Sequence, residues 1–454
     1  MSVEYERVYP GVYGEREGDL IERVRAEFEG RGPHVPEGHG VTPGFELYVD
    51  RKHLLDFAHM WNRYNPLYTD PEYAKRSRFH GFIAAPWAVI AGSSFPFLPK
   101  KTGVWISALC HLPMKALDHE YTFYRPIYEG DTVHTETTFQ GFDDISPKEG
   151  GDVRLFRLRG EGDLVNNHGE VVISAKFRAG EAFHVLKDPE DLKKLDRPEY
   201  YWPPFTFDWP SVRKQHVYTD EDWEYIKDLW SKEYVRGADT LYWEDVNIGD
   251  EPAWTCDGPL THSDYHQLVD EVFDWYGREK EPMRLEFTRD LIMHPDPDDK
   301  ERMIRDPYGM WQDIHNLHDE GCNIPNARAS CMNTDGRNFS TRVITNWMGD
   351  AGWIRKGCWR LSFGWDIGHN MFPADCERPS YLLKVPYLKE QGKFMNTHAF
   401  EGDCIISKAY VCDKYIDERG VHCVDLVAWC ETIEGDIFAE NYYVVELPSR
   451  ADSK

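Results

Sequence analysis

One layout occurs twice along this chain, and it constrains the fold more than any composition figure. "FELYVDRKHLLDFAHMWNRY" (45–64) begins as a strand and passes to a helix with apolar residues at Leu54, Leu55, Ala58 and Trp61. A polar turn with Pro66 follows, then "GFIAAPWAVIAGSSFPF" (81–97), long and apolar enough for a buried helix. "HEYTFYRPI", "GDTVHTETTFQGF", "DVRLFRLRGEGDLVN" and "GEVVISAKF" come next. Their Thr, Val, Tyr and Phe content and Gly-Asp breaks predict antiparallel strands.

The second region keeps this order. "NIGDEPAW" (247–254) reads as a strand, and "THSDYHQLVDEVFDWYG" (261–277) as an amphipathic helix capped at Thr261 or Ser263. "FSTRVITNWMGD" (339–350) reads as a second central helix. "GCWRLSFGWDI", "GDCIISKAYVCDKYI", "GVHCVDLVAWCET" and "GDIFAENYYVVELP" read as strands. The Pro-rich, charged stretch 188–215 reads as a connector, followed by the helix-like "TDEDWEYIKDLWSKEYV" (219–235). The expected division is an N-terminal unit over 1–187, a connector over 188–240 and a C-terminal unit over 241–454, in an α+β chain.

Bulk properties bound the function. With 41% hydrophobic residues, 16 Trp and 25 Tyr, the 454-residue chain has material for packed cores. A net charge of −27 argues against nucleic acid and anionic membrane as partners. No apolar run reaches the ~18 residues of a membrane span. The N-terminus, "MSVEYERVYPGVYGEREGD", lacks the apolar core of a signal peptide, so a cytoplasmic protein is expected. The 10 Cys include no CxxC and are expected to be mostly buried thiols. Cys322 and Cys331 fit no usual zinc spacing, and the His315–His318 pair lacks a third ligand at a persuasive spacing, so no metal is expected.

A helix followed by a long curved antiparallel sheet, used twice, resembles the double hotdog fold, with two long helices each wrapped by its own sheet. The likeness is specific in two places. "YNPLYTDPEYAKRSRFHGFIAAPW" resembles the hydratase motif of MaoC-like dehydratases, the (R)-specific enoyl-CoA hydratases. "GRNFSTRVITNWMGDAGWIRK" and "EGDCIISKAYV" look like the C-terminal half of larger members. The family motif is Asp-x-Asn-Pro-x-His, with a Gly further on at the start of the central helix. In the first half Asn65 and Pro66 fix the register, and the Asp, His and Gly positions then hold Arg63, Tyr68 and Pro86. None can do the corresponding chemistry, since proline has no N–H and neither Arg nor Tyr replaces a carboxylate or imidazole near neutral pH. In the second half Asp313, His318 and Gly336 meet all three positions, although His315-Asn316 replaces Asn-Pro.

The resemblance implies water addition to an α,β-unsaturated thioester. Asp313 and His318 share a water as base and acid, and the Gly336 N–H at a helix start receives the thioester oxygen. Such preset donors typically lower a barrier by ~3–4 kcal/mol. The chemistry needs no cofactor, coenzyme A entering only as part of the substrate. The first half is left to hold the acyl chain, with Trp87 among its walls, and Arg76, Arg78, Arg342, Arg355 and Lys356 are the basic candidates for meeting the coenzyme. The solvated-charge or ion-pair reading stands beside each. Trp347 and Trp353 read as core and Asp350 as a helix-end residue. The resemblance also implies a homodimer. Two other functions fit the fold: a hotdog acyl-CoA thioesterase and a non-catalytic acyl-CoA binding protein.

Overall fold

The computed structural model describes residues 46–89, 114–144, 153–184, 215–261, 294–295, 303–304, 333–360, 380–395, 397 and 399–451. Asp313, His315, His318, Cys322, Cys331, the stretch 262–277, the rest of the first apolar stretch beyond 89 and the connector up to 214 lie outside these residues.

Within the described part of the first half, β1 (Glu46–Tyr48) leads into α1 (Arg51–Asn62). Asp50 caps α1 by accepting from the His53 N–H, and Leu54, Phe57, Ala58 and Trp61 form its buried stripe at helical spacing. Leu55 is only half-buried. Two short proline-started helices follow, α2 (Pro66–Thr69) and α3 (Pro71–Arg76). The strands are β2 (Met114–Phe123), β3 (Thr132–Asp144), β4 (Val153–Asn166) and β5 (Val171–His184), close to the four extended runs read from the sequence.

The second half is entered through α4 (Asp220–Lys232), whose Thr219–Asp222 capping box fixes its start. Its strands are β6 (Thr255–Asp257), β9 (Trp353–Arg360), β10 (Ile405–Ile416), β11 (His422–Glu431) and β12 (Ile437–Glu446), with α5 (Asn333–Met348) before β9 and the short α6 (Pro386–Glu390) before β10. Two more short strands, β7 (His294–Pro295) and β8 (Met303–Ile304), pair only with each other. "NIGDEPAW" is not a strand. Gly249 has a left-handed φ of 100° and Pro252 cannot donate to a ladder, so the strand begins only at Thr255.

The duplication is plain in the strand order. The large sheet runs β1-β3-β4-β5-β2-β9-β12-β11-β10-β6, antiparallel throughout. Numbering strands within each half, both halves read 1-3-4-5-2 from the outer edge inward. The halves join where β2 pairs with β9, with His119 opposite Trp359 and Tyr121 opposite Gly357. This is the repeated sheet expected of two hotdog units. Of the two long helices expected, α5 is one. The other was expected over 81–97, where the residues described, 81–89, form an isolated bridge from Ile83 to Tyr128 and turns rather than helix, and the remainder lies outside the described residues.

One core crosses the junction. Leu54, Phe57 and Trp61 of α1, Trp87, Tyr121 of β2, Val343 and Ile344 of α5, and Val424, Leu426 and Tyr443 of β11 and β12 belong to one buried cluster. Each fully buried side chain of this size typically contributes about 1.5–3 kcal/mol. A second cluster covers the opposite face of the second sheet. There Tyr381, Leu382, Val385 and Leu388 pack on Cys358, Val427, Trp429 and Ile437. Cover on both faces explains why Cys423 to Cys430 of β11 are all buried. Of the described cysteines five are buried, and none forms a disulfide.

Candidate functional site

The start of α5 is the centre of the candidate site. Gly336 is the fourth residue of this helix and is buried. The glycine has a packing reason of its own, because a Cβ there would overlap the Ala439 Cβ on β12. The Gly336 carbonyl accepts from the Cys430 thiol at 3.2 Å.

The turns that follow are polar and yet buried. Arg337, Ser340 and Thr341 have no exposed surface, and Asn338 is 1% exposed. Such a run is stable only if its polar atoms find partners. The Thr341 hydroxyl donates to the Arg337 carbonyl at 2.7 Å, and takes hydrogen bonds from the Trp87 indole N–H and, at 2.6 Å, the Tyr443 hydroxyl. Ser340 lies 3.0 Å from the same Tyr443 hydroxyl and accepts from the Asn441 amide at 2.8 Å. The Asn338 carbonyl accepts from the Trp61 indole at 2.6 Å.

The Arg337 guanidinium is enclosed by aromatic faces. It lies over Trp87 at 4.2 Å, Trp359 at 5.1 Å and Tyr121 at 5.7 Å. Each face offers a negative quadrupole to the cation. Trp87 in turn packs edge-on against Tyr121 and Phe123, and Gly357 makes room for it, since a Cβ there would sit 3.0 Å from its ring. His119 stands edge-on to Trp359 at 4.7 Å. Its burial, and secondarily the nearby Arg337 charge, hold its imidazole well below the usual range, so it is neutral at pH 7.

The first-half motif has kept its turn. Asn65 caps α2 by accepting from the Leu67 N–H, and Pro66 opens that helix. Arg63 is exposed and leans over the Tyr64 ring at 5.4 Å. Tyr68 is buried edge-on against Trp61, and burial raises its phenol well above the ordinary value. That position therefore carries a fixed neutral phenol.

The six residues expected to contact substrate are placed as follows. Trp87 is buried and bonded to Thr341. Arg76 is exposed in the last turn of α3. Arg78 donates to the Gly352 carbonyl at 3.2 Å. Arg342 is buried in ion pairs with Asp257 at 2.6 Å and Glu233 at 3.2 Å, and although burial opposes its charge these two carboxylates keep its pKa raised. Arg355 pairs with Asp417 at 3.4 Å and Glu446 at 3.6 Å, and Lys356 with Glu120. The structure thus places Trp87 against Arg337 and Thr341 of α5, and gives Arg342, Arg355 and Lys356 carboxylate partners of their own. Trp347 and Trp353 pack against the main core, and Asp350 follows α5 and accepts from the Tyr73 hydroxyl at 2.7 Å.

Arg337, His119, Asn441 and Tyr443 were not singled out from the sequence. Arg337 could have been found, as it directly follows Gly336. Asn441 and Tyr443 carry no local signal, because only sheet pairing brings β12 beneath α5.

Residues 38–175 match the family model described as FAS1-like, dehydratase domain region. The match spans the half whose motif positions hold Arg63, Tyr68 and Pro86. Two curated relatives, each called UPF0336 protein, come from Streptomyces avermitilis and Thermobifida fusca. The first is 26% identical over 142 residues, 30% of this chain and 87% of the relative. The second is 26% identical over 158 residues, 34% of this chain and 90% of the relative. Among solved structures, a Mycobacterium tuberculosis protein described as having a double hotdog fold aligns over 89% of this chain and 94% of its own, at 8% identity and a TM-score of 0.45. A MaoC-like dehydratase from Phytophthora capsici aligns over 89% and 95%, at 9% identity and a TM-score of 0.40. The chain resembles the MaoC-like dehydratases.

Proposed function

We propose that this chain is a hydro-lyase that adds water to, or removes it from, an acyl thioester, acting on an enoyl-CoA and 3-hydroxyacyl-CoA pair. The matched triple Asp313, His318 and Gly336 carries the reading, with Gly336 buried near the start of α5. Asp313 and His318 orient and deprotonate the water that attacks the β-carbon and return a proton to the α-carbon. The Gly336 N–H stabilises the charge that builds on the thioester oxygen. The first half, with Arg63, Tyr68 and Pro86 in place of working groups, supports the acyl chain. No cofactor beyond the substrate's own coenzyme A enters this chemistry. A homodimer in the cytoplasm is the form we expect to act.

Purified full-length protein is offered crotonyl-CoA and longer or cyclic enoyl-CoA esters, with the conjugated thioester absorbance followed. Loss of absorbance with gain of one water by mass is expected. Asp313→Asn and His318→Ala should each cost about 10²–10⁴ in rate. Activity that survives both changes sinks the proposal. Release of free thiol instead would make the protein a thioesterase, and tight binding without turnover, indifferent to His318→Ala, would make it a carrier. Sedimentation at micromolar concentration tests the dimer, against which a monomer would count.

A further inference from the structure

Any donor at Gly336 can act only if the start of α5 is held in one orientation. The groups that hold it are unusual for a helix–sheet contact. Instead of apolar side chains, β12 offers Asn441 and Tyr443, both fully buried. Asn441 bonds to Ser340, one turn beyond Gly336, and Tyr443 bonds to Thr341 and approaches Ser340. Ser340 and Thr341 pass the constraint back by donating to the Arg337 carbonyl at 3.1 and 2.7 Å. Cys430 of the neighbouring β11 fixes the Gly336 carbonyl itself. Trp87, beside the equivalent first-half position Pro86, completes the chain through Thr341. A directional network of this kind fixes rotation about the helix axis and sliding along it, which apolar packing alone leaves looser.

We propose that Asn441 and Tyr443 are positioning residues: they aim the Gly336 N–H at the thioester oxygen through Ser340 and Thr341. This rests on the reading of Gly336 given above. Tyr443 is suited to the role because burial raises its phenol well above the ordinary value and keeps it a neutral donor through the working pH range. Neither residue touches substrate in this account. Their effect is on geometry, and a displacement of a fraction of an ångström at a donor is enough to be read in rate.

The test uses the full chain in two readouts. In the first, crotonyl-CoA labelled with ¹³C at the thioester carbonyl is bound to Asp313→Asn protein, where turnover is slowed, and the carbonyl stretch is recorded by difference infrared spectroscopy. A band displaced to lower frequency relative to free ester is expected. Adding Tyr443→Phe should return it part of the way. In the second, Tyr443→Phe in the otherwise unchanged chain should lower kcat about tenfold with KM little altered. Thr341→Val, which keeps shape and removes the same hydrogen bonds, should reproduce both effects and serves if Tyr443→Phe does not fold. A lowered melting temperature with unchanged band and kcat would leave the network purely structural and overturn the proposal. So would an undisplaced band in the parent. A displaced, Tyr443-sensitive band in a protein that never hydrates its ligand would instead refute the proposed reaction and keep the positioning role.

Discussion

The Arg337 guanidinium lies over the Trp87 ring, 4.2 Å from its centroid, and these two residues directly follow the equivalent positions Gly336 and Pro86 of the two halves. Corresponding positions of the two halves therefore meet at this cation–π contact. A buried guanidinium is costly to desolvate, and three aromatic faces offset part of that cost.

Arg337→Lys keeps the charge and loses the planar stack. We expect a loss of about 1–2 kcal/mol in urea unfolding, with the fold retained. An unchanged midpoint would show that the stack contributes nothing.

Gly336→Ala should destabilise by about 1–3 kcal/mol, because the new methyl meets Ala439. Ala439→Gly in the same chain should recover much of that loss, giving a coupled double-mutant cycle. Additive losses would place the clash elsewhere. Activity measured on the double variant separates the space a glycine provides from the donor it carries.

Arg342→Met removes the cation from between Asp257 and Glu233. Leaving two half-buried carboxylates without it should cost up to about 3 kcal/mol. A raised KM for the thioester with an unaltered melting temperature would instead restore Arg342 to the substrate.

Two histidines should give opposite pH dependences. His119 is held below its ordinary value of 6.5, so below that pH the unfolded chain takes up a proton that the folded chain refuses. Stability therefore drops as the solution is acidified below 6.5, at a limiting slope of about 1.4 kcal/mol per unit. His119→Phe should remove this acid sensitivity. For His216, burial opposes the charge, but hydrogen bonds to Asp222 and Glu434 at 3.0 and 3.2 Å outweigh it and raise the pKa. Its contribution is present in full below 6.5 and is lost as pH rises through the raised value. On the acid side Asp222, lowered to about 2 chiefly by the Thr219 N–H and then by His216, keeps its share until pH falls from its unfolded value near 3.8 toward about 2. Melting curves of His216→Ala against pH should lack the alkaline decline. If the two variants shift in the same direction, the assignment fails.

Much of the architecture could be read before any coordinates. Most of the stripe of α1, the presence of α4 and the eight long strands follow from spacing and turn residues, which are local signals. The first turn of α5 did not, and the sequence-based start at Phe339 is six residues late. The resemblance places a helix start at Gly336, but nothing local reveals that Asn441 and Tyr443 will satisfy a buried polar helix. The site was legible in part for the same reason. Spacing finds Gly336, but the cage around Arg337 is assembled from β2, β9 and Trp87 across the junction of the halves.

The β2–β9 ladder has a consequence for biosynthesis. The inner flank of the first sheet is completed only by residues from far downstream, Gly357 to Arg360 among them. A nascent chain must carry that raw strand in the open until most of translation is over, exposed to whatever other extended polypeptide is nearby. A fragment stopped in the connector should clump rather than persist as a small folded protein, and supplying the missing remainder in trans should rescue it.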